Sequence, residues 1–452
     1  MAIWINTPAE LQARQQLRPS RIGLDTEFIR ERTFWPQLAL VQMAVGDEVL
    51  LIDPLIPGMP EALAPWLTDS SIIKVMHSAS EDLVAFKHTC GVLPRPLFDT
   101  QIGASLAGIG GGMGYQKLVQ EITGVALAKG ETRSDWMRRP LSDAQLQYAA
   151  DDVEHLFALH DAIVAKLEAQ GRQQWLADDA ERLLASVEHD EERWPHLGMR
   201  SAQFLDAPAQ RRLLRLLRWR DQQARASDRP RSWILDNELA ATLARVPPVD
   251  EAVLGKVFDQ FPKAPRKLAG AVWQALTTPL DDEADAPQLL QATDANKQAL
   301  KKLQEAVAQV SQSLGLPDGV LASRKHLESY LGSRTWPAPL AGWRQQVLEP
   351  KLQPLLPRLA DMRFQLVRRR AAQASAAFRA ELDLIAGVTA PALLRRDELR
   401  LAKSQPQFRR RPCEGRDPYA EMPMRREVPV ALFCKDHCNQ QLGPVAMGPL
   451  SS

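Results

Sequence analysis

The sequence predicts an α/β domain with a mixed sheet, followed by all-helical units. The first observation is a set of short apolar segments with the length and bounding turns of strands, at residues 21–28, 37–45, 48–53 and 71–76. The second is the dominance of helical patterns after residue 80, with only helices predicted beyond about residue 170. Strands and helices in this order are typical of an α/β fold.

The first predicted strand carries two acids, Asp25 and Glu27, behind an apolar start. Strand side chains alternate, so both carboxylates point to one face and Thr26 points to the other. Two carboxylates this close repel each other unless a cation lies between them. Oxygen ligands of this kind favour Mg²⁺ or Mn²⁺. Taken alone, however, Asp-x-Glu is better explained as a strand end with two solvated acids.

A tight turn at Gly46 and Asp47 joins the second and third strands. The fourth strand leads into a helix over residues 82–88, with acids in its first turn. The helix dipole favours acids there, so helix initiation explains Asp82 as well as metal binding does. His77 follows the strand and is more typical of a satisfied polar residue than of a ligand, so we place it outside the metal site.

A long helix is predicted over residues 143–167, with Gly171 shortly after its end. Ser142 and Gln145 form the Ser-x-x-Gln pattern of a capping box at its start. The helix therefore has a defined first turn, which fixes the faces on which its later residues lie.

Tyr148 and Asp152 lie four residues apart on this helix and therefore share one face. Asp152 can bind a metal ion while the Tyr148 hydroxyl reaches a water molecule beside it. The alternative is a core tyrosine and a surface acid, because acids are frequent along this helix. Asp151 points about 100° away from Asp152, so it receives no ligand role.

Three segments, at residues 25–38, 75–82 and 134–153, resemble the motifs of the bacterial ribonuclease D family. This family belongs to the DEDD 3′→5′ exonucleases, in the subclass whose third motif carries a tyrosine. The acids and the tyrosine show no departure from that pattern. The resemblance spans about residues 1–375. It implies a ribonuclease-H-like exonuclease domain over 1–170, followed by two helical HRDC domains (helicase and RNase D, C-terminal).

The resemblance also implies a catalytic mechanism with two divalent metal ions per site, Mg²⁺ or Mn²⁺. Asp25 bridges both ions, Glu27 and Asp152 complete the first site, and Asp82 supports the second through water. The two ions lie roughly 3.5–4 Å apart. Tyr148 orients the attacking water, and the product is a nucleoside 5′-monophosphate released from the RNA 3′ end.

Candidate substrate contacts are weaker predictions. Phe28 follows the acids and can stack on the terminal base, since aromatic faces hold single-stranded ends. A core position on the strand explains it equally well. Lys129 and Arg133 lie in a predicted loop and are candidates for phosphate contacts, with a solvated loop as the simpler interpretation.

The helical part is predicted to contain a connector at 171–206 and HRDC domains at 207–290 and 293–375. Residues 227–239 carry the resemblance to an HRDC domain. The acidic stretch 279–287 is predicted to be a solvated linker between the two domains.

The first helix of residues 207–290 interleaves leucines with arginines. Arg215 and Arg218 represent its basic face and are candidate ligands of RNA phosphates, which would make binding salt-dependent. The alternative is an amphipathic helix with a solvated basic face, the usual meaning of a charge run.

Residues 376–452 are predicted to be a basic, disordered tail, because the sequence beyond residue 400 mixes proline, glycine and arginine. A helix over residues 376–400 is the alternative for the first part of the tail. A zinc site in the tail is disfavoured, because the spacing of its candidate ligands fits no common structural site. Its ligands would be Cys413, Cys434, His437 and Cys438.

Composition places further limits on the chain. Its 452 residues are 45% hydrophobic, enough for two or three domains, and the net charge of +1 means that any attraction to nucleic acid is local. Four cysteines fit a reducing compartment. Neither a secretory signal nor an apolar run of roughly 20 residues is recognised, so no membrane association is expected. We expect a cytoplasmic protein, and a self-contained site gives no reason to require an oligomer, so a monomer is expected.

The expected function is a metal-dependent 3′→5′ exoribonuclease that acts on tRNA precursor 3′ ends and other structured RNA. The tRNA part follows from the resemblance alone. A DNA-directed 3′→5′ exonuclease is an alternative, disfavoured by the two HRDC-like units and the lack of a polymerase-like region. A catalytically silent nucleic-acid-binding scaffold is the other, disfavoured because binding alone does not require all five site residues.

Overall fold

A six-stranded mixed sheet lies at the centre of the N-terminal region. The computed structural model describes residues 2–128, 134–189, 192–289 and 293–356. The strands are β1 (Ile3–Ile5), β2 (Arg21–Ile29), β3 (Gln37–Val45), β4 (Glu48–Ile52), β5 (Ile73–Met76) and β6 (Leu97–Asp99). Their order is β1-β4-β3-β2-β5-β6. Strand β3 is antiparallel to β2 and β4, and the other pairs are parallel.

The predicted fold class and the four predicted strands are confirmed as β2 to β5. Strands β1 and β6 have three residues each and were not predicted, because segments this short carry too little periodicity. Eight helices accompany the sheet within the described part of residues 2–189. They are α1 (Pro8–Arg14), α2 (Met59–Thr68), α3 (Ser80–Cys90), α4 (Thr100–Leu106), α5 (Tyr115–Thr123), α6 (Asp143–Glu154), α7 (Leu156–Gln170) and α8 (Gln173–Glu188).

Helices cover both faces of the sheet because β3 is apolar on both. Met43 faces a core shared with α2, α3 and α8, whereas Leu40 faces a smaller cluster with Ala149 of α6. Helix α7 crosses β2 closely at Gly23, where a Cβ atom would lie 3.1 Å from Leu156 Cδ1. The face with α6 and α7 is the one that carries Asp25 and Glu27.

The predicted helix over residues 143–167 is two helices, α6 and α7, which meet at His155. The backbone of His155 has φ −98° and ψ 0°. The hydroxyl of Tyr115 lies between the carbonyl of Asp151 and the N–H of His155, where the continuous helix would have its own hydrogen bond. Gly171, in the left-handed conformation, ends α7 as predicted.

Helix α8 packs into the core of the sheet rather than forming a connector. Ala180, Leu184 and Val187 of α8 lie in the same buried cluster as the strands. The predicted connector at 171–206 is therefore too long, because the amphipathic pattern of α8 buries its apolar side against the sheet domain. The segment that links this domain to the next helices begins only after α8.

The remaining described helices fall into two groups. The first has its own buried cluster, which extends from Ala202 to Leu276. Its helices are α9 (Ala207–Ser227), α10 (Arg231–Ile234), α11 (Asn237–Arg245), α12 (Glu251–Asp259) and α13 (Ala269–Thr277). The second group consists of α14 (Asp294–Leu314), α15 (Arg324–Ser333) and α16 (Trp343–Leu352).

Asp179 of α8 anchors the last helical group. Its buried carboxylate accepts hydrogen bonds from Trp343 Nε1 at 3.1 Å and from Arg344 Nη2 at 2.7 Å. Trp343 also stacks on Trp175, with ring centroids 4.2 Å apart. A charged acceptor with several donors is a strong buried contact, so this group is held firmly against the sheet domain.

A glycine-rich loop between α4 and α5 makes a second contact with this group. A Cβ atom on Gly108 would lie 2.6 Å from the carbonyl oxygen of Gly315, and the φ angle of Gly108 is +75°. A Cβ atom on Gly111 would lie 3.0 Å from the Pro317 side chain. The loop therefore needs glycine to allow two backbones to approach.

Two predicted regions lie outside the described residues. They are the loop segment 129–133 and the chain beyond residue 356, which includes residues 357–375 of the predicted second HRDC domain and the whole tail 376–452. Among the helices that the structure describes, none has both the length and the apolar character needed to cross a bilayer.

We predict that Gly108→Ala destabilises the contact between the glycine-rich loop and the last helical group. Gly112→Ala is the matched control, because Gly112 has φ +59° but open space around its Cβ position. The control should cost about 1–2 kcal/mol through the left-handed backbone alone. Gly108→Ala should cost more, because the new methyl group meets a backbone oxygen. Thermal unfolding of both variants tests this, and equal destabilisation would contradict the close approach.

Candidate active site

Three of the predicted acids converge at one edge of β2 and α6. Carboxylate oxygens of Asp25, Glu27 and Asp152 all lie within 4.8 Å of one another, and the three residues are half-buried. Mutual repulsion makes such a group costly without a counter-ion. The donor set consists of oxygen atoms only, so it fits a hard divalent cation such as Mg²⁺ or Mn²⁺.

The convergence follows from strand alternation and the helix period. Asp25 pairs across the sheet with Gln42 and Glu27 pairs with Leu40, so the two acids share the face that α6 covers. Beyond Glu27 the register between β2 and β3 shifts by one residue. Asp152 lies near the end of α6, which packs on β2, β3 and β4, and its side chain completes the group.

Tyr148 lies beside this group, one helical turn before Asp152. Burial, together with the nearby carboxylates of Asp152, Glu27 and Asp25, raises the pKa of Tyr148, and its hydroxyl hydrogen-bonds Asp152. The hydroxyl therefore stays protonated near neutral pH and acts as a hydrogen-bond donor. From this position it can orient a water molecule by hydrogen bonding.

The fourth predicted acid, Asp82, stands apart from the other three. It lies in the first turn of α3 and is 3% exposed. The hydroxyl of Thr26 donates a hydrogen bond to its carboxylate. Because Thr26 points away from the face of Asp25 and Glu27, Asp82 approaches β2 from the opposite side. Asp82 would therefore contribute to metal binding only indirectly, through a water molecule or through Thr26.

Asp99, which the sequence did not single out, orients the segment before α3. Its carboxylate accepts hydrogen bonds from the N–H groups of Ser78 at 3.2 Å and Ala79 at 2.9 Å. It also caps α4. Ser78 has a left-handed backbone with φ +56°, so these bonds hold a turn that is otherwise strained. The signal was present, because an aspartate just before a helix is a common N-cap.

His77 lies outside the three-carboxylate group, as predicted. One ring nitrogen, Nδ1, is 2.9 Å from Thr100 Oγ1, and Nε2 is 3.1 Å from the carbonyl oxygen of Met113. The ring therefore joins the end of β5 to the glycine-rich loop.

The start of α6 is fixed by the predicted capping box. Ser142 Oγ accepts from the Gln145 N–H at 3.2 Å, and Gln145 Oε1 accepts from the Ser142 N–H at 2.9 Å. Trp136 precedes this box, is buried, and has its ring 6.1 Å from the ring of Tyr148. The first turn of α6 therefore sets the position of the residues that follow.

Arg139 and Asp53 form a salt bridge that was not predicted from the sequence. Arg139 Nε and Nη2 donate to the two Asp53 carboxylate oxygens at 2.7 and 2.8 Å. Nη2 also donates to the carbonyl of Ala39 at 2.6 Å. Ala39 is the residue of β3 that the register shift leaves unpaired beside Glu27. Arg139 thus satisfies the main-chain carbonyl of Ala39, which lies next to the three-carboxylate group.

The candidate substrate contacts have different outcomes. Phe28 is half-buried and packs against the main core of the sheet. Part of its ring is therefore a core side chain, which was the alternative to a base contact. Lys129 and Arg133 lie outside the described residues.

Arg215 and Arg218 are engaged by the acidic segment after α13. Arg215 Nε donates to Glu283 at 2.6 Å, and Arg218 binds both carboxylate oxygens of Asp282 at 2.6 and 3.0 Å. These pairs hold the pKa of both acids below their usual values, that of Asp282 at about 2. The prediction of a solvated linker at 279–287 is therefore wrong for these two acids, because they pair with Arg215 and Arg218 of α9.

Comparisons with known proteins agree with this geometry. A family model described as 3′-5′ exonuclease matches residues 3–168, and one described as ribonuclease D, C-terminal HRDC domain, matches residues 295–352. Ribonuclease D of Xanthomonas oryzae pv. oryzae is 69% identical over 358 residues, 79% of this chain and 99% of that protein. Ribonuclease D of a Shewanella species is 35% identical, with 76% and 90% of the two chains covered.

A solved structure adds a comparison of the fold. The crystal structure of Escherichia coli RNase D, described as an exoribonuclease involved in structured RNA processing, matches with a TM-score of 0.66 at 30% identity. The match covers 79% of this chain and 98% of that chain. The acidic group, the matching family models and these relatives together show that this chain belongs to the ribonuclease D family and is a divalent-metal-dependent 3′→5′ exoribonuclease.

Proposed function

We propose that the site hydrolyses the last phosphodiester bond of an RNA 3′ end and releases a nucleoside 5′-monophosphate. The observation that carries the proposal is the convergence of Asp25, Glu27 and Asp152 beside the protonated hydroxyl of Tyr148. Two divalent ions, Mg²⁺ or Mn²⁺, would activate water and stabilise the leaving 3′ oxygen.

Each residue then has a distinct role. Asp25 would hold both ions, because its carboxylate lies within 4.8 Å of those of Glu27 and Asp152. Glu27 and Asp152 would supply the other protein ligands of the first ion. Tyr148 donates a hydrogen bond and orients the attacking water for in-line displacement. Asp82, which accepts from Thr26, supports the second ion through water.

The substrate contacts are part of the same proposal. The exposed part of Phe28 would stack on the terminal base, since every base presents an aromatic face. Lys129 and Arg133 would contact phosphates near the 3′ end. Arg215 and Arg218 could do so only after their pairs with Glu283 and Asp282 open, and RNA phosphates would then replace carboxylates of like charge.

We infer that the natural substrates are tRNA precursors and other structured RNAs with single-stranded 3′ ends. The description of the Escherichia coli relative, which refers to structured RNA processing, supports structured RNA as the substrate class. The first helical group, α9 to α13, is proposed to be the first of two HRDC domains and to assist RNA binding. The scarcity of cysteine, four in 452 residues, supports the cytoplasm as the compartment, and we propose a monomer.

Neither alternative function is favoured. The relatives share the name ribonuclease D, which favours RNA over a DNA-directed exonuclease. The assembled carboxylates favour an active enzyme over a silent scaffold.

We predict that Asp25→Asn abolishes trimming of a 5′-labelled RNA with a single-stranded 3′ tail. The wild type should give a ladder that shortens from the 3′ end with Mg²⁺ or Mn²⁺ and not with EDTA. The variant should be slower by on the order of 10³-fold, because several kcal/mol of metal-based stabilisation is lost. Asp143→Asn, an exposed change in the first turn of α6, is the control and should keep full activity. A ladder from Asp25→Asn at the wild-type rate would overturn the site assignment.

We predict that the wild type binds two Mn²⁺ ions per chain and that Asp82→Asn weakens the second. Isothermal titration with Mn²⁺ measures both stoichiometry and affinity without RNA turnover. The second site should weaken by about 10–100-fold, the usual effect of losing an outer ligand. Asp143→Asn is again the control. A single Mn²⁺ in the wild type, or an unchanged Asp82→Asn titration, would argue against the role of Asp82.

We predict that tRNA precursors are trimmed at their 3′ trailers and that trimming slows near the paired acceptor stem. The comparison uses one tRNA transcript with an added single-stranded trailer, a single-stranded RNA of that trailer sequence, and the corresponding DNA. Gel analysis of each time course gives the rates. Equal rates on DNA and RNA would contradict the RNA preference, whereas degradation of the free RNA with an intact precursor would contradict the tRNA proposal.

A further inference from the structure

A tyrosine side chain interrupts the helix that carries Asp152. In a continuous helix the N–H of His155 would bond to the carbonyl of Asp151, four residues earlier. Instead, the Tyr115 hydroxyl donates to the Asp151 carbonyl at 3.0 Å and accepts from the His155 N–H at 3.2 Å. One hydroxyl therefore takes the place of one main-chain hydrogen bond and satisfies both groups that the break exposes.

The interruption changes where the two helices can pack. Helix α6 lies against β2, β3 and β4, whereas α7 lies against α4, α5 and β5. A single straight helix could not pack its side chains against both of these sets of elements. Asp152 lies between the two main-chain groups that Tyr115 holds, so the direction of its side chain depends on the geometry of the break.

Tyr115 is itself held firmly. It is the first residue of α5, and its ring contacts the His77 ring edge-on, with centroids 5.6 Å apart. His77 is in turn fixed by Thr100 and by the carbonyl of Met113. Burial, first of all, raises the pKa of Tyr115, so its hydroxyl keeps the proton that it donates to Asp151.

We propose that Tyr115 is a positioning residue of the metal site, whose hydroxyl sets the placement of Asp152 relative to Asp25 and Glu27. The proposal rests on the metal-binding function proposed above. Tyr115 touches neither the reacting atoms nor a metal ion in this role. It acts through the main chain on either side of Asp152, and the precision of the three-carboxylate group depends on it.

Loss of the hydroxyl has two possible structural results, and both displace Asp152. If the break persists, the half-buried Asp151 carbonyl loses the Tyr115 hydroxyl, and the His155 N–H keeps only its contact with the Val153 carbonyl. If the helix closes, His155 bonds directly to Asp151 and the last turn of α6 rotates. A purely structural role for Tyr115 would instead lower stability and leave the metal site unchanged.

The test is Tyr115→Phe, which removes only the hydroxyl. Mn²⁺ binding measured by isothermal titration, without RNA, should weaken by about 10–100-fold, the range typical of lost outer-sphere support. The trimming rate at limiting Mn²⁺ should fall by a similar factor and recover partly at saturating Mn²⁺. Binding of a single-stranded RNA in EDTA, measured by fluorescence anisotropy, should not change, because the RNA contacts remain.

Two further variants isolate the cause. Tyr330→Phe changes another buried tyrosine, on α15, and should leave Mn²⁺ affinity at the wild-type value. Tyr115→Leu removes the ring as well as the hydroxyl. If Tyr115→Phe and Tyr115→Leu weaken Mn²⁺ binding alike, the hydroxyl carries the effect.

Wild-type Mn²⁺ affinity in Tyr115→Phe, with or without a lower melting temperature, would overturn the proposal. Failure of the proposed function looks different: there, the wild type itself would bind no Mn²⁺, or Asp25→Asn would trim RNA at the wild-type rate. The wild type and Asp25→Asn are therefore titrated in the same series.

Discussion

The repulsion among three carboxylates is the constraint on which the rest of this structure depends. Asp25, Glu27 and Asp152 keep oxygen atoms within 4.8 Å of one another, an arrangement that only a rigid framework or a bound cation maintains. The framework is a strand buried on both faces and a helix packed across it. Catalysis with metal ions benefits from this rigidity, because ligands placed in advance need no rearrangement when the ions and the RNA bind.

The framework is held by polar contacts at its ends rather than by the apolar core alone. Arg139 joins the segment before α6 to Asp53 and to the carbonyl of Ala39, beside Glu27. Asp99 holds the turn that leads to Asp82. Each contact satisfies main-chain groups where a strand or helix is interrupted, and buried groups of this kind are costly if left unpaired. These contacts therefore stabilise the irregular backbone next to the carboxylate group.

Local patterns predicted most of the fold and the site, and the misses have physical causes. The alternation of side chains along a strand predicted that Asp25 and Glu27 share one face, and the helix period predicted the same for Tyr148 and Asp152. Both predictions succeed because each depends only on residues that are close in sequence. The break at His155 was missed because its cause, Tyr115, is distant in sequence. The pairing of Arg215 with Glu283 was missed for the same reason, since a charge pattern does not reveal a partner 68 residues away. The signal for Asp99 is local, because an aspartate just before a helix is a common N-cap.

The high glycine content of the loop between α4 and α5 is explained by the contacts at its two ends. At one end, Gly108 lets the backbone approach Gly315 of the last helical group. At the other end, the Met113 carbonyl contacts His77, and the Tyr115 hydroxyl bonds to both sides of the break that ends the helix carrying Asp152. The loop must therefore be compact enough for close main-chain packing and still deliver one hydroxyl to a defined position. Glycine meets the first requirement, because any side chain at Gly108 would meet a backbone oxygen, and the anchored tyrosine meets the second. Substitutions in this loop thus bear on domain packing and on metal-site geometry together.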